Sequence, residues 1–152
     1  MSDPTPMQTL VQLAEQEAEK QARRMGAAQQ AHQENTLKLE QLLSYRQDYE
    51  VRYQQGMQNG LGMSYHQNYR EFMLRLDEAI SGQQGLVNLT ESRLQTEHHA
   101  WQEAERKRLS FKTLADREQT TQMQQEQRRE QKASDEHATR MASRQIRLNQ
   151  EN

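Results

Sequence analysis

The sequence predicts an all-α protein, two long helices folded into an antiparallel coiled-coil hairpin. Three observations carry that reading. Apolar residues recur at three- and four-residue spacing through most of the 152 residues. A glycine-studded interruption, Gly56-Met-Gln-Asn-Gly60-Leu-Gly62, separates two such stretches. Helix formers dominate elsewhere: 25 residues are Gln, against six Gly and two Pro, and Gln, Glu, Ala, Arg and Leu lose little entropy on becoming helical.

Composition sets the limits first. Apolar residues make up 32% of the chain and the mean hydropathy is −1.26, too little to fill a compact core. Low apolar content also fits disorder, but sustained periodicity favours helices. Charge is balanced, with 20 basic and 22 acidic residues for a net charge of −2. No segment is basic enough to attract nucleic acid or a lipid surface. The chain has no cysteine, which excludes disulfides and thiolate metal sites and suits a reducing cytosol. No stretch has the roughly 20 apolar residues of a membrane span, and no apolar leader opens the chain. The expectation is a cytoplasmic protein without direct membrane insertion.

The first helix is expected over about 6–57. Thr5 suits an N-cap, Pro6 the first helical position, and Gln8 closes a capping box. One heptad line runs Val11, Ala18, Met25, His32, Leu39, Arg46, Tyr53; its companion runs Ala14, Gln21, Ala28, Asn35, Leu42, Tyr49, Gly56. Such paired lines are a coiled-coil seam. His32 and Asn35 read as tolerated polar seam residues or as residues that fix helix register.

The turn is expected over about 58–64, with Asn59-Gly60 and Gly62 supplying positive dihedrals. Ser64 reads as the cap of a second helix over about 65–148. Its seam runs Tyr69, Met73, Leu76, Ile80, Gln83, Val87, Thr90, Leu94, Glu97, Trp101, Ala104, Arg108, Phe111, Ala115. Gly82 and Gly85 weaken it, each by about 1 kcal/mol relative to Ala. Folding about residue 61 makes partners sum to roughly 122, setting Tyr53 opposite Tyr69, Leu42 opposite Ile80, Ala28 opposite Leu94, Gln21 opposite Trp101 and Val11 opposite Phe111. Small residues then face large ones, as interdigitating helices prefer; a parallel homodimer would stack Trp101 on itself instead.

At about 1.5 Å per residue the first helix is on the order of 75 Å long and the second exceeds roughly 110 Å. The whole chain, 1–152, reads as one coiled-coil domain with a polar overhang from about 118. That overhang holds six acids and six bases between Glu118 and Asn152. It is expected to fray when free and to gain order against a partner.

Chemistry-bearing constellations are sparse. His98-His99 precede Trp101, but adjacent helical residues point about 100° apart and neither a carboxylate nor a third histidine stands at ligand spacing. The glycines lack the Lys and Ser or Thr of a phosphate loop. No nucleophile–base pair is recognisable. The expectation is a protein that is not an enzyme and holds no cofactor or metal, with catalytic residues absent. What stands out is an aromatic crowd near the turn: Tyr45, Tyr49, Tyr53, Tyr65, Tyr69 and Phe72. Tyr49, Tyr53 and Tyr69 fit packing. Tyr45 and Phe72 fall one step off the seam, beside Leu42, Leu76 and Ala79, either as a thick local core or as a half-exposed strip suited to a protein interface.

These residues resemble a known family, the flagellar export protein FliJ of bacteria, over nearly the whole chain. The likeness begins at Leu10-Val-Gln-Leu-Ala-Glu-Gln-Glu-Ala and continues through Leu42-Leu-Ser-Tyr-Arg-Gln-Asp-Tyr-Glu50 and Met57-Gln-Asn-Gly60. It resumes at Asn68-Tyr-Arg-Glu-Phe72, Leu76-Asp-Glu-Ala-Ile80, Thr113-Leu-Ala-Asp-Arg117, Glu130-Gln-Lys132 and Asp135-Glu136. The resemblance implies an antiparallel coiled coil like the central stalk of rotary ATP synthases. It implies a part in flagellum assembly, and so in motility and chemotaxis, through type III protein export. The implied partners are the hexameric flagellar export ATPase, the integral membrane protein of the export gate, and the export chaperones that it escorts for reuse. The implied location is the cytoplasmic face of the inner membrane at the flagellar base. The gate-binding strip would be Leu42, Tyr45, Tyr49, Phe72, Leu76 and Ala79. The end that enters the ATPase ring would use Leu10, Leu13, Ala14, Glu17, Arg24, Arg117, Gln124 and Arg128. Two alternatives stand beside it: a stalk serving a virulence secretion system, and a scaffolding coiled coil with no ATPase partner.

Overall fold

The computed structural model describes residues 2–60 and 62–152; of the expected turn, Leu61 lies outside them. Two helices account for nearly all of it, α1 over Pro6–Gln58 (53 residues) and α2 over Met63–Glu151 (89 residues). No strand occurs among the described residues.

The start of α1 follows its sequence signal. The Thr5 amide donates to Gln8 Oε1 at 3.0 Å, and the Gln8 amide donates to Thr5 Oγ1 at 3.2 Å. This reciprocal box satisfies amides that have no intrahelical acceptor. At the other end Asn59 N–H donates to the Gln55 carbonyl and Gly60 N–H to Met57, each at 3.2 Å. Gly60 has φ +78°, the left-handed value that closes a helix and that a Cβ disfavours.

Three expectations about the reversal need correction. Gly60 has positive φ, and Asn59 does not. Gly56 is not part of the break but a buried residue of the last turns of α1. Ser64 does not cap α2, which begins one residue earlier. The Gly62 carbonyl accepts the amides of Tyr65 (3.2 Å) and His66 (3.3 Å), so Gly62 holds the cap position and Ser64 lies in the first turn. Glycine is itself an acceptable cap, and a two-residue shift at a helix end costs little.

Contacts group the chain into two compact units. The first to describe comprises Glu15–Glu105, an antiparallel helical hairpin. Its cross-helix pairs obey the expected register: Arg24–Glu97, His32–Thr90, Arg46–Asp77 and Tyr53–Tyr69 have residue numbers summing to 121, 122, 123 and 122. Its buried residues are Ala18, Ala28, Leu39, Met73, Leu76, Val87, Thr90 and Ala104, with Gly56. Every seam position named from the sequence in this unit is buried or half-buried. Two polar layers interrupt the stripe and are satisfied. His32 Nδ1 lies 3.2 Å from Thr90 Oγ1. Gln83 Nε2 donates to the Asn35 carbonyl at 2.9 Å and to Asn35 Oδ1 at 3.0 Å. Gln21 Oε1 and Thr36 Oγ1 are buried without a hydrogen-bond partner.

The other unit joins Met1–Ala14 to Arg106–Asn152. Ala14 is its buried residue, with Met7, Val11, Arg108, Phe111 and Ala115 half-buried. From Asp116 to Asn152 every residue is exposed. Through this segment α2 runs on as helix to Glu151. The segment holds neither Gly nor Pro and is rich in Gln, Glu, Arg and Ala, all favourable in helices. The hydroxyls of Thr120, Thr121 and Thr139 turn back to carbonyls four residues earlier at 2.9 Å.

Candidate functional site: an aromatic ladder beside the turn

Heptad spacing on both helices brings six aromatic rings onto one side of the hairpin near its turn. Tyr53 stacks on Tyr69 at 3.7 Å between centroids with an interplanar angle of 9°. On one side Tyr53 also stacks on Tyr65 at 6.0 Å, and its hydroxyl meets His66 Nδ1. On the other side Tyr69 lies 5.9 Å from Tyr49, stacked within 2°. Tyr49 lies 4.2 Å from Phe72, and Phe72 meets Tyr45 edge-on at 6.0 Å. Stacked and edge-on geometries of this kind contribute about 0.5–1.5 kcal/mol per pair beyond burial.

Burial divides the six residues of the expected strip. Leu76 is buried; Leu42, Tyr49 and Phe72 are half-buried; Tyr45, 49% exposed, and Ala79 face solvent. Tyr49 and Phe72 are therefore packing residues with an accessible edge. Tyr45 is the ring that closes the ladder, and it also presents a face to solvent. Exposed Leu43, Leu74 and Val51 occur in the same part of the unit.

An ionic group borders the ladder. Arg46 Nε donates to Asp77 Oδ1 at 2.7 Å, and its other nitrogen lies 3.7 Å from Glu50. The Asp77 hydrogen bond holds the Arg46 guanidinium even more firmly protonated than usual. Tyr69 has its phenol pushed above the ordinary tyrosine value, first by burial and then by the negative charge of Glu50.

The eight residues expected at the ATPase ring do not all fall together. Leu10, Leu13, Ala14, Arg117, Gln124 and Arg128 belong to the Met1–Ala14/Arg106–Asn152 unit, whereas Glu17 and Arg24 belong to the hairpin. Leu10 and Leu13 are 42% and 56% exposed, and Ala14 is buried. Arg117 lines a shallow cleft with Leu109, Ser110 and Leu114; Gln124 and Arg128 are exposed. In the hairpin, Arg24 is paired with Glu97 at 3.4 Å, and Glu17 accepts a hydrogen bond from Gln21. Sequence reasoning missed the Arg24–Glu97 pair, which depends on side-chain rotamers as well as on the folding register.

No group of three or more His, Asp or Glu residues among the described residues is arranged to hold a metal ion. Among the described residues no helix is long and apolar enough to cross a membrane.

A family model described as "Flagellar FliJ protein" matches residues 2–147. The chain is 28% identical over 144 residues to the Flagellar FliJ protein of Escherichia coli (strain K12), covering 95% of this chain and 98% of that protein. It is 30% identical over 140 residues to the Flagellar FliJ protein of Salmonella typhi, covering 91% and 94%.

Proposed function

The chain belongs to the flagellar FliJ family, and on that premise we propose that it is a non-catalytic component of flagellar protein export, a stalk-like helical pair that works through its surface. It docks the membrane protein of the export gate on the aromatic strip, engages the export ATPase ring, and escorts export chaperones. It acts at the cytoplasmic face of the membrane at the flagellar base.

The observation that carries this reading is the half-buried, half-open state of the strip. Tyr45 is exposed although the ladder continues to it through Phe72. Rings held by their neighbours lose little further freedom on binding, and tyrosine edges are favoured in interface cores. Ring engagement draws its support from exposed Leu10 and Leu13, apolar residues near the chain's start, and from the family resemblance.

Two measurements test the proposal. Tyr45→Ala and Ala79→Asp, both at exposed positions, are expected to weaken binding to the soluble domain of the cognate gate protein about tenfold or more while leaving helicity unchanged. Unchanged affinity rejects the strip as the docking surface. Leu13→Glu is expected to reduce stimulation of the cognate export ATPase. If the unaltered protein fails to stimulate turnover when the ring is assembled, the stalk role falls, and the scaffold reading replaces it.

A further inference from the structure

The sequence set His98 and His99 aside as metal ligands because no third donor stood at helical spacing. The fold supplies one from the opposite helix. His98 Nδ1 lies 3.3 Å from Met25 Sδ, a pair 73 residues apart in sequence that the antiparallel register brings together. Met25, His98 and His99 line a common cleft of about 470 Å³ with Gln29, Leu94 and Gln95. The His98 ring lies 5.9 Å from Trp101 and 6.5 Å from His99. At the far side of the His98 ring, Gln102 Nε2 lies 3.2 Å from Nε2.

From this geometry we propose that Met25 and His98 form a binding site for a soft monovalent cation of the copper(I) class, with His99 lining the same cleft. The nitrogen–sulfur separation is the first reason. For a metal about 2.0 Å from nitrogen and about 2.3 Å from sulfur, a 3.3 Å span subtends about 100°, an ordinary angle for trigonal or tetrahedral coordination. Donor chemistry is the second. Thioether sulfur and imidazole nitrogen select soft ions, and no carboxylate lines the cleft to recruit a hard one.

The third reason is the support around His98. Gln102 as placed donates to Nε2, which puts the ring proton on Nδ1, facing the sulfur. Turning that amide over lets its oxygen accept an Nε2 proton and leaves the Nδ1 lone pair directed at the metal position. An outer partner of this kind fixes the tautomer and orientation of a ligating histidine.

Trp101 is the chain's one tryptophan, so its fluorescence reports on this cleft and is silent about the other methionines and histidines. Titration of the full chain with Ag(I), a redox-inert soft probe, is expected to quench that fluorescence to saturation at one equivalent. Met25→Leu keeps an apolar residue at the seam, and His98→Gln alters an exposed position. Each is expected to raise the half-saturating concentration at least tenfold with helicity unchanged, while His137→Gln in the tail leaves the curve in place. A Met25→Leu titration that superimposes on that of the unaltered protein, quenching that never saturates, or an equal response to Zn(II) overturns the proposal.

Discussion

Replacing Tyr53 by alanine removes a ring stacked 3.7 Å from Tyr69 and in contact with Tyr65 and His66. Deleting a large packed aromatic side chain costs about 3 kcal/mol. Tyr45, 49% exposed at the ladder's end, should lose no more than about 1 kcal/mol on the same change. Urea unfolding followed by circular dichroism separates the two; equal costs would mean that Tyr45 is core rather than docking surface. Tyr69 adds a pH dependence. Its folded-state pKa is raised by burial, above the unfolded value of about 10. Between those two values the native state holds its proton more tightly than the unfolded chain, so stability falls as pH rises beyond about 10 and is unaffected below it. Tyr69→Phe should flatten that alkaline decline, measured as the unfolding midpoint against pH.

Along the elements, the glycines of α2 and of the turn call for opposite substitutions. Gly82 and Gly85 are helical and exposed, and a Cβ at either meets nothing within 4 Å. Alanine at each position should stabilise by about 1 kcal/mol, because it restricts the unfolded chain and clashes with nothing. Gly60 also has open space, but its φ of +78° penalises any Cβ. Gly60→Ala should destabilise by about 1–2 kcal/mol. Thermal melts of the three variants check the signs. At this scale the sequence was most readable. A heptad frame is a geometric rule, and it placed Leu39, Val87 and Ala104 in the core and His32 opposite Thr90. Short-range signals read well where two residues answered each other, as Thr5 and Gln8 do. The Ser64 signal failed although Gln67 follows it three residues on, since a serine–glutamine pair does not show whether a neighbouring glycine takes the cap. Pairings across the helices, Arg24 with Glu97 and Met25 with His98, depend on side-chain rotamers as well as on register. That placed them out of reach of a one-dimensional pattern.

For the whole molecule, the deciding quantity is how little surface is buried. The chain exposes 12634 Å², whereas a compact protein of 18.0 kDa would expose about 8,000 Å². Two paired helices bury one stripe each, and residues 116–152 are all exposed. The tail's helix therefore draws on backbone hydrogen bonds and propensity alone, which hold an isolated polar helix only marginally in water. Stability should accordingly be divided: heating melts the tail gradually, and the paired segments unfold cooperatively at a higher temperature. Truncation after Arg117 tests this directly. The shortened chain should lose the sloping decline in helical signal before the main transition. It should keep the main midpoint within a few degrees, because every removed residue is exposed and only Glu118, Gln119 and Gln122 border the cleft beside Met7. A fall of ten degrees or more would show that the tail packs against the rest of the chain. An unchanged midpoint would leave 34 residues of helix, Glu118 to Glu151, whose surface is free for a partner, as the proposed escort of export chaperones requires.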